Sequence, residues 1–337
     1  MADFTSALSM IELFNRYIPT RVIYVAAKLG LADYIGAEGA KAEDLAGKLS
    51  VHPDALYRVM RVLAGLGVLR QDEDERFFVT PFGDTLRQDS PQSVRDYAIY
   101  SHENTYERVG KIMDSVRTGE PVISDYFAQL RANPEQQAIF LAGSGNKSRV
   151  ETAAILAAYD FSQCGRIVDV GGGNGSFLAG VLNACDQVSG LLFDQNAAIE
   201  AAKAGRGGPL PRCEFIAGNF FEGVPSGGDT YILKRILDDW PDEKVLQILQ
   251  NCRTAMPSKC RLLIIEPLMG PPNKLAPGHL ADMNFLVTFK GGRIRAEQEH
   301  AKLLHQAAFR LQKNWPTESE VSVLETFAIV PEHSGKP

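Results

Sequence analysis

Five short apolar runs in the second half of the chain constrain the fold more than any other feature. They are RIVDV, SGLLFD, EFIAG, DTYILKRIL and CRLLIIEPL, and helical segments such as NAAIEAAKA and EKVLQILQNCRTAM separate them. Near-continuous apolar strands that alternate with helices are typical of a parallel sheet covered on both faces. The sequence therefore predicts a doubly wound α/β domain. A final pair of strand-like runs, FRLQKNWP and SEVSVLETFAIV, follows it.

The first half of the chain has a helical texture instead. TRVIYVAAKLGLADYI has apolar residues at helical spacing up to Gly36, and HPDALYRVMRVLAGLGVL begins a helix near Pro53. LRQDEDERFFVT then reads as two short strands around an acidic turn. Short helices followed by a hairpin predict a winged helix over 1–90. A helical segment over 91–157 and the α/β domain over 158–337 complete the predicted organisation.

Composition narrows the classes of function. The 337 residues exceed one typical domain, and 45% hydrophobic and 23% charged residues are usual for a soluble globular protein. A net charge of −6 gives no reason to expect a polyanionic partner. No apolar run reaches about 18 residues, and MADFTSALSMIELF has no basic cluster, so neither a membrane span nor a secretory signal is predicted. Five scattered cysteines without a CxxC pair indicate reduced, mostly buried thiols in a cytoplasm.

A glycine turn follows the first apolar run. RIVDVGGGNGSFLAGVL is a strand, a turn with Gly171-x-Gly173-x-Gly175, and a helix. Ser176 occupies the place where a dinucleotide turn has its third small residue, which weakens an NAD interpretation. Ligands of doubly wound sheets bind beyond the carboxyl ends of the strands, so this turn is a candidate cofactor site.

Polar and aromatic residues also end the next two strands. Asp194 comes nineteen residues after Gly175, where a carboxylate can accept from both hydroxyls of a ribose. Asn219 and Phe220 end the following strand, where an amide can contact an adenine edge and a ring can lie against the base. Alone, each residue is equally a strand-end loop residue. Together they predict a site for a nucleoside-type cofactor.

At this point the chain resembles a known family. DVGGGNG, LLFD, GNFFEGVP, ILKRILDDWPDE, LLIIEPL and GGRIRAEQEHAKLL resemble, in order, the S-adenosyl-L-methionine-dependent O-methyltransferases that act on plant phenolics and bacterial aromatic natural products. The resemblance covers nearly the whole chain. It implies an α/β fold, a doubly wound Rossmann-like methyltransferase domain with an N-terminal α-helical winged-helix dimerisation domain, and hence a homodimer. YVAAKLGLADYI is the stretch expected to be buried in the dimer.

The resemblance also implies which residues bind the cofactor and which bind the acceptor. The cofactor would leave as S-adenosyl-L-homocysteine. For the cofactor these are Ser148, Gly171, Gly173, Asp194, Gln195, Asn219, Phe220, Lys234 and Arg235. For a small aromatic acceptor they are His102, Tyr106, Phe140, Asp282 and Asn284. The family usually has aspartate where this chain has Asn219, but an amide oxygen also accepts a hydrogen bond from the adenine amino group.

The stretch LKRILDDWPDE departs from the family where the chemistry occurs. Asp238 stands where the family has its catalytic histidine, and the two supporting glutamates are expected to be Glu266 and Glu297. A carboxylate with a pKa near 4 is a poor base for a phenol near 10 but suits an acidic hydroxyl. Burial beside other carboxylates would make it a stronger base. Alternatively, Asp238 only caps the helix that begins near Pro241, although Asp239 fits that role better.

Two other functions compete with methyl transfer. Loss of the histidine is compatible with relatives that keep the cofactor for decarboxylation, hydroxylation or pericyclic chemistry. A winged helix also occurs in DNA-binding regulators, but Asp72-Glu73-Asp74-Glu75 at the wing tip would repel phosphate. The histidines at 300 and 305 are interpreted as surface residues, with no metal site expected. RVIYVAAKLGLADYI and the missing histidine also resemble bacterial phenazine methyltransferases, for which an acidic N-hydroxyl acceptor is apt.

Overall fold

A computed structural model describes residues 5–205, 208–257 and 259–329. Their contacts divide the chain into two compact units. The first unit comprises the residues up to Glu107 together with Pro134–Lys147, and the second comprises Arg108–Asn133 together with the residues from Ser148 onwards. The predicted helical segment 91–157 is therefore shared between the two units.

The first unit is a helical winged-helix domain. Its elements are α1 (Thr5–Phe14), α2 (Tyr17–Leu29), α3 (Leu31–Tyr34), α4 (Ala42–Leu49), α5 (Pro53–Gly65), β1 (Leu69–Gln71), β2 (Phe77–Val79), α6 (Pro81–Asp84), α7 (Arg95–Tyr100) and a π-helical segment (Ser101–Tyr106). Strands β1 and β2 pair antiparallel around the acidic turn, as predicted. The predicted helix ending at Gly36 is interrupted earlier, because Gly30 adopts a left-handed conformation with φ of 63° and ends α2.

The second unit contains a seven-stranded sheet among its described residues. Its strands are β3 (Arg166–Val170), β4 (Ser189–Asp194), β5 (Cys213–Ala217), β6 (Thr230–Lys234), β7 (Arg261–Pro267), β8 (Phe309–Pro316) and β9 (Val321–Ala328). Its helices are α9 (Ile112–Thr118), α10 (Tyr126–Ala132), α12 (Ser176–Ala184), α13 (Asn196–Lys203), α14 (Asp242–Ala255), α15 (Pro277–Thr288) and α16 (Glu297–Gln306). Helix α8 (Glu107–Val109) begins at the boundary of the units, and α11 (Pro134–Ala158) contributes to both. Short 3₁₀ turns cover Phe161–Gln163 and Leu237–Asp239.

The strand order places the ends of β3, β4, β6 and β7 along one edge. The order is β5-β4-β3-β6-β7-β9-β8. Strands β3 to β7 are parallel to one another, β9 pairs antiparallel with β7, and β8 pairs antiparallel with β9. The chain leaves β3 toward β4 on one side, while β6 lies on the other side of β3. This reversal opens a crevice at the carboxyl ends of the strands, where doubly wound sheets bind their ligands.

Both faces of this sheet are covered, as the continuous apolar runs predict. Val168 and Val170 pack into one core with residues of α14 and α16. Ile167 on the same strand packs into a second core with residues of α12 and α13. Alternate side chains of a strand point to opposite faces, so a strand buried on both sides is apolar at most positions, and the buried Asp169 of β3 is an exception.

All five cysteines have free thiols. Cys164, Cys252 and Cys260 are buried, and Cys185 and Cys213 are half-buried. Burial raises the pKa of every one of them, to about 12 for Cys252 and about 11 for Cys213. Within the described residues, no helix is long and apolar enough to cross a membrane.

The packing of α6 against the hairpin gives a test of the winged-helix domain. A Cβ added at Gly83 would lie 2.0 Å from the carbonyl oxygen of Val68, so Gly83→Ala forces backbone to move. We expect a loss of about 1–3 kcal/mol in the free energy of unfolding. Gly47→Ala is the control, because Gly47 lies in α4 with no atom within 4 Å of the added Cβ. Urea unfolding should show Gly83→Ala destabilised and Gly47→Ala unchanged or stabilised, and equal midpoints would contradict this packing.

Candidate active site

The glycine turn forms one wall of the candidate cofactor site. Gly171, Gly173 and Gly175 have φ of 74°, 61° and 77°, in the left-handed region that favours glycine. A Cβ at Gly171 would lie 2.5 Å from Cδ1 of Ile236, whereas a Cβ at Gly173 would meet nothing within 4 Å. The glycine turn therefore closely approaches the turn that follows β6 at Gly171 and leaves open space at Gly173.

Asp194 is held at the end of β4 by two backbone amides. Its Oδ2 accepts from the N–H of Gly173 at 2.8 Å, and its Oδ1 accepts from the N–H of Gln195 at 2.6 Å. Burial raises the pKa of the Asp194 carboxyl despite these bonds. Each carboxylate oxygen retains a second acceptor site, so the pair can take two hydroxyl donors. The structure thus brings together four of the predicted cofactor residues, although the side chain of Gln195 is exposed.

Phe220 and Asn219 occupy different environments. Phe220 lies 3.5 Å from the position of a Cβ on Gly171 and packs edge to face with Phe221, so it borders the glycine turn. Asn219 is exposed, its Oδ1 accepts from the N–H of Phe221 at 3.0 Å, and its Nδ2 donates to Glu222 at 2.9 Å. In this arrangement Asn219 stabilises its own turn, and its contact with an adenine remains a prediction.

Asp169 is a buried carboxylate that sequence reasoning passed over, although it belongs to the quoted DVGGGNG motif. It is 1% exposed, and neither oxygen has a hydrogen-bond partner among the described residues. A Cβ at Gly172 would lie 2.4 Å from its Oδ2, so the carboxylate lies directly against the glycine turn. A ligand that carries an ammonium group would satisfy this carboxylate. The amino acid portion of S-adenosyl-L-methionine has such a group, so Asp169 fits the implied cofactor.

Lys234 and Arg235 share a buried partner, Glu151, that sequence reasoning missed. Glu151 is 3% exposed and pairs with Nζ of Lys234 at 2.9 Å and with Nη2 of Arg235 at 2.5 Å. Ser148, one turn earlier on α11, accepts from Lys234 at 3.4 Å, and Arg235 also pairs with Glu320. These predicted cofactor residues therefore come together, but in a network that neutralises their charges within the protein. The spacing of Ser148 and Glu151 on one helix face was the available signal.

Glu266 organises the turn that carries Asp238. It is 1% exposed at the end of β7, and its Oε1 accepts from the backbone N–H groups of Ile236, Leu237 and Asp238 at 3.3, 2.6 and 3.3 Å. Asp238 is itself 2% exposed. The predicted catalytic pair is therefore brought together, with Glu266 acting through the backbone of the turn.

The electrostatics of this turn favour protonated carboxyls. Burial, and then the charge of Asp238, raises the pKa of Glu266 well above its usual range. Burial, Asp238 and Glu266 raise the pKa of Asp239 in the same direction. Carboxylates that share a buried site cannot all ionise, so the group retains protons at neutral pH.

Neither aspartate caps the following helix, contrary to the alternative prediction. Helix α14 begins at Asp242, its N-cap residue is Pro241, and no side chain caps it. Asp242 instead accepts from Nε and Nη2 of Arg295 at 3.0 and 2.7 Å. The buried Arg295 also donates to the carbonyl groups of Leu237 and Trp240, so it ties both ends of the turn to α14.

The prediction that His300 lies on the surface is wrong. His300 is 1% exposed, with its Nε2 3.6 Å from Oε2 of Glu266. Burial, and then Arg295, lowers its pKa to about 4, so the imidazole is neutral at pH 7 and no ion pair forms. His305, five residues later, is exposed, because the two histidines face different directions on α16. The surface prediction was made for both together and therefore missed the burial of His300. Glu297, the third predicted catalytic residue, accepts from Asn314 of β8 at 2.7 Å.

The predicted acceptor residues fall in both units. In the second unit, Oδ1 of Asp282 accepts from the N–H of Ile294 at 2.8 Å, and Oδ1 of Asn284 accepts from Thr288 at 3.3 Å, so both stabilise the α15 region.

In the first unit, the imidazole of His102 stacks between Tyr24 and Tyr106, at centroid distances of 5.1 and 5.4 Å. Phe140 packs edge to face with Tyr100 at 5.7 Å. His102 and Tyr106 belong to the π-helical segment, a conformation frequent at functional sites.

Comparison with protein families decides the class. An O-methyltransferase dimerisation domain matches residues 11–89, and an O-methyltransferase domain matches residues 112–310. The chain belongs to the O-methyltransferase family. It is accordingly an S-adenosyl-L-methionine-dependent O-methyltransferase, as its motifs predicted, and the cofactor supplies an electrophilic methyl group when bound.

Three relatives illustrate the range of this family. The chain is 33% identical to the phenazine O-methyltransferase PhzM of Lysobacter antibioticus, over 94% of each chain. It is 36% identical to 3-amino-4-hydroxybenzoate 4-O-methyltransferase of Streptomyces cremeus, over 91% of this chain and 86% of the relative. Among solved structures, CalO1, a methyltransferase of calicheamicin biosynthesis with S-adenosyl-L-homocysteine bound, has a TM-score of 0.86 and 28% identity, covering 97% of this chain and 99% of that one.

The buried Asp169 gives a test through pH. Burial raises its pKa to about 7, Lys234 opposes this and Asp194 adds to it. Because the folded pKa exceeds the unfolded value of about 3.9, this carboxyl stabilises the fold below about pH 4, and that contribution is lost as pH rises through 7. Relative to Asp169→Asn, the wild-type free energy of unfolding should fall by up to about 4 kcal/mol between about pH 4 and pH 8.

Urea unfolding of both proteins across this range, without cofactor, measures the difference. Asp186→Asn is the control, because Asp186 is exposed and its replacement should leave the pH profile parallel to that of the wild type. A parallel profile for Asp169→Asn as well would show that Asp169 does not titrate as described.

Proposed function

We propose that the protein transfers the methyl group of S-adenosyl-L-methionine to an acidic hydroxyl of a planar aromatic metabolite. Phenolic and N-hydroxy groups of hydroxylated aromatic acids and phenazines are the acceptors that we expect. The similarity to a phenazine O-methyltransferase and to a hydroxybenzoate O-methyltransferase supports this acceptor class.

One observation carries the proposal. Ile236 touches the glycine turn, since a Cβ at Gly171 would lie 2.5 Å from its Cδ1, and Asp238 follows two residues later in the same turn. The turn that carries Asp238 therefore packs against the glycine turn of the candidate cofactor site through Ile236. Methyl transfer from a sulfonium is an in-line displacement that depends on holding its two reactants this close.

Asp238 is the base in this proposal. The acceptor hydroxyl loses its proton to the ionised carboxylate of Asp238, which becomes a neutral carboxyl group as the methyl group is transferred. Glu266, whose pKa is raised by burial and by Asp238, remains protonated and so leaves the negative charge to its neighbour. A carboxylate in such a site is a stronger base than an exposed one, but still weaker than the usual histidine, so it suits acidic hydroxyls.

Substitution of Asp238 tests this role. With methyl-labelled S-adenosyl-L-methionine and a panel of hydroxylated aromatic acids, phenols and N-hydroxyphenazines, we expect Asp238→Asn to lower kcat by about 10²–10⁴-fold on phenols. The loss should be smaller on N-hydroxy acceptors, which ionise unaided, and Asp238→His should retain activity. The measurement is the initial rate of labelled product formation.

Glu243→Gln provides the matched control, because Glu243 is an exposed carboxylate nearby in sequence and should leave all rates unchanged. Equal rates for Asp238→Asn and the wild type on every acceptor would exclude Asp238 as the base and leave catalysis by proximity. Labelled product carrying the methyl group on nitrogen would exclude the hydroxyl. Conversion of an acceptor with the cofactor left intact would support the second candidate, a non-methylating reaction.

We also propose that the protein is a homodimer formed through its N-terminal domain. Within the stretch YVAAKLGLADYI, Ala27, Leu31 and Ile35 are already buried in the core of the single chain, so a dimer contact through the rest of that stretch stays a prediction. Helix α1 is the better surface, since its large apolar residues are exposed, with Phe14 at 68% and Leu8 at 60%. Apolar surface of this extent marks a protein interface.

The oligomeric state tests this surface. Phe14→Asp places a charge in the proposed contact, so sedimentation should show a shift from dimer toward monomer. Ser9→Asp adds the same charge on the opposite face of α1 and should remain dimeric. A dimer that persists in Phe14→Asp, or a monomeric wild type, would place the contact elsewhere or remove it.

A further inference from the structure

Arg108 is a buried cation that the proposed reaction does not use. Its side chain lies in the second unit, is 6% exposed, and stacks on the ring of Tyr126 with its central carbon 4.7 Å from the ring centroid. Neither Nε nor Nη2 has a hydrogen-bond acceptor among the described residues. An arginine so buried normally has its N–H groups paired, because an unpaired charge in a dry site is costly.

Two acidic residues that follow Arg108 in the second unit are engaged elsewhere. Glu120 pairs with Lys290 at 3.0 Å, and Oδ1 of Asp125 accepts from the N–H of Ala128 as the cap of α10. The guanidinium fork of Arg108 matches a carboxylate in shape and can donate to both of its oxygens. The unpaired Nε and Nη2 atoms form one edge of that fork, which is the arrangement required for such a bidentate contact.

Further aromatic rings pack beside Tyr126, the ring on which this cation stacks. Phe289 lies 5.6 Å from Tyr126 and 5.7 Å from Phe127, and Phe285 lies 5.2 Å from Phe289, as distances between ring centroids. Tyr126, Phe127, Phe285 and Phe289, here called the aromatic cluster, offer ring faces and edges to a planar ligand. A cation beside such a surface matches a molecule that is both flat and anionic.

The aromatic cluster is continuous with the turn that carries Asp238. A Cβ at Gly292 would lie 2.8 Å from Cβ of Phe289 and 2.9 Å from the carbonyl oxygen of Asp238. Only the space of one methyl group therefore separates the cluster from the catalytic turn. The N–H of Arg293 also donates to this carbonyl at 2.8 Å, so the two regions are held together.

We infer that Arg108 binds a carboxylate on the acceptor, with the aromatic cluster against the ring, so that the substrates are hydroxylated aromatic carboxylic acids. This inference rests on the proposed function and specifies its substrate class. In this arrangement the carboxylate is held by Arg108 while the hydroxyl is presented to Asp238.

A matched pair of ligands tests the inference without turnover. The dissociation constants of a hydroxynaphthoic acid and of its carboxamide are measured by calorimetry in the presence of S-adenosyl-L-homocysteine. The wild type should bind the acid at least about 10-fold more tightly than the carboxamide. In Arg108→Gln the dissociation constant of the acid should rise about 10–100-fold, while that of the carboxamide should change less than about 3-fold.

Two variants separate binding from structure. Arg131→Gln removes an exposed arginine of α10 in the same unit and should leave both ligands unaffected. Arg108→Met keeps the length of the side chain without its charge, and its melting temperature without ligand should equal or exceed that of the wild type. A lower melting temperature together with equal losses for acid and carboxamide would make Arg108 structural and overturn the inference.

The inference and the proposed function can fail separately. Equal affinities for acid and carboxamide in the wild type would overturn the inference, even where other acceptors are methylated. Arg108-dependent binding of the acid, with no label transferred to any acceptor, would uphold the carboxylate site while overturning methyl transfer to such acids.

Discussion

The capping of one turn by Glu266 is the interaction on which the candidate site depends. Its carboxyl oxygen receives three successive backbone N–H groups and so holds residues 236–238 in a fixed path at the carboxyl end of the sheet. Arg295 fixes the same turn from its carbonyl side. With donors and acceptors both satisfied, the turn can keep Asp238 buried without strain from unpaired backbone groups. Asp238 therefore lies on a turn whose backbone groups are paired by Glu266 and Arg295.

A second set of buried charges, around Glu151, differs from the carboxyls around Glu266 because its charges are balanced. Glu151 is shared by Lys234 and Arg235, so its negative charge is balanced by cations within the protein. The carboxyls of Asp238, Asp239 and Glu266 are instead neighbours of like charge, and burial together with that charge raises the pKa of Asp239 and of Glu266 although Arg235 and Arg295 oppose the shift. The charge-balanced network of Glu151 and the carboxyls with raised pKa values thus lie at the ends of adjacent strands.

Local patterns predicted the parts of the fold that local forces determine. The covered sheet, the hairpin and the glycine turn follow from apolar periodicity and glycine conformation, and each was predicted correctly. Glu151 pairs with residues more than 80 positions later, and His300 meets Glu266 only after α16 has packed. Arg108 gave no signal at all, because its stacking on Tyr126 requires α10 to pack against it. Such pairings arise from tertiary packing, which periodicity in a single sequence cannot predict.

The buried thiols acquire a meaning from the cofactor. A sulfonium is an alkylating agent, and a thiolate is among the nucleophiles most able to take its methyl group. Burial raises the pKa of all five cysteines, so almost none of them is ionised at neutral pH. Hydrophobic packing therefore keeps these thiols in the protonated form, which is the form least able to accept a methyl group.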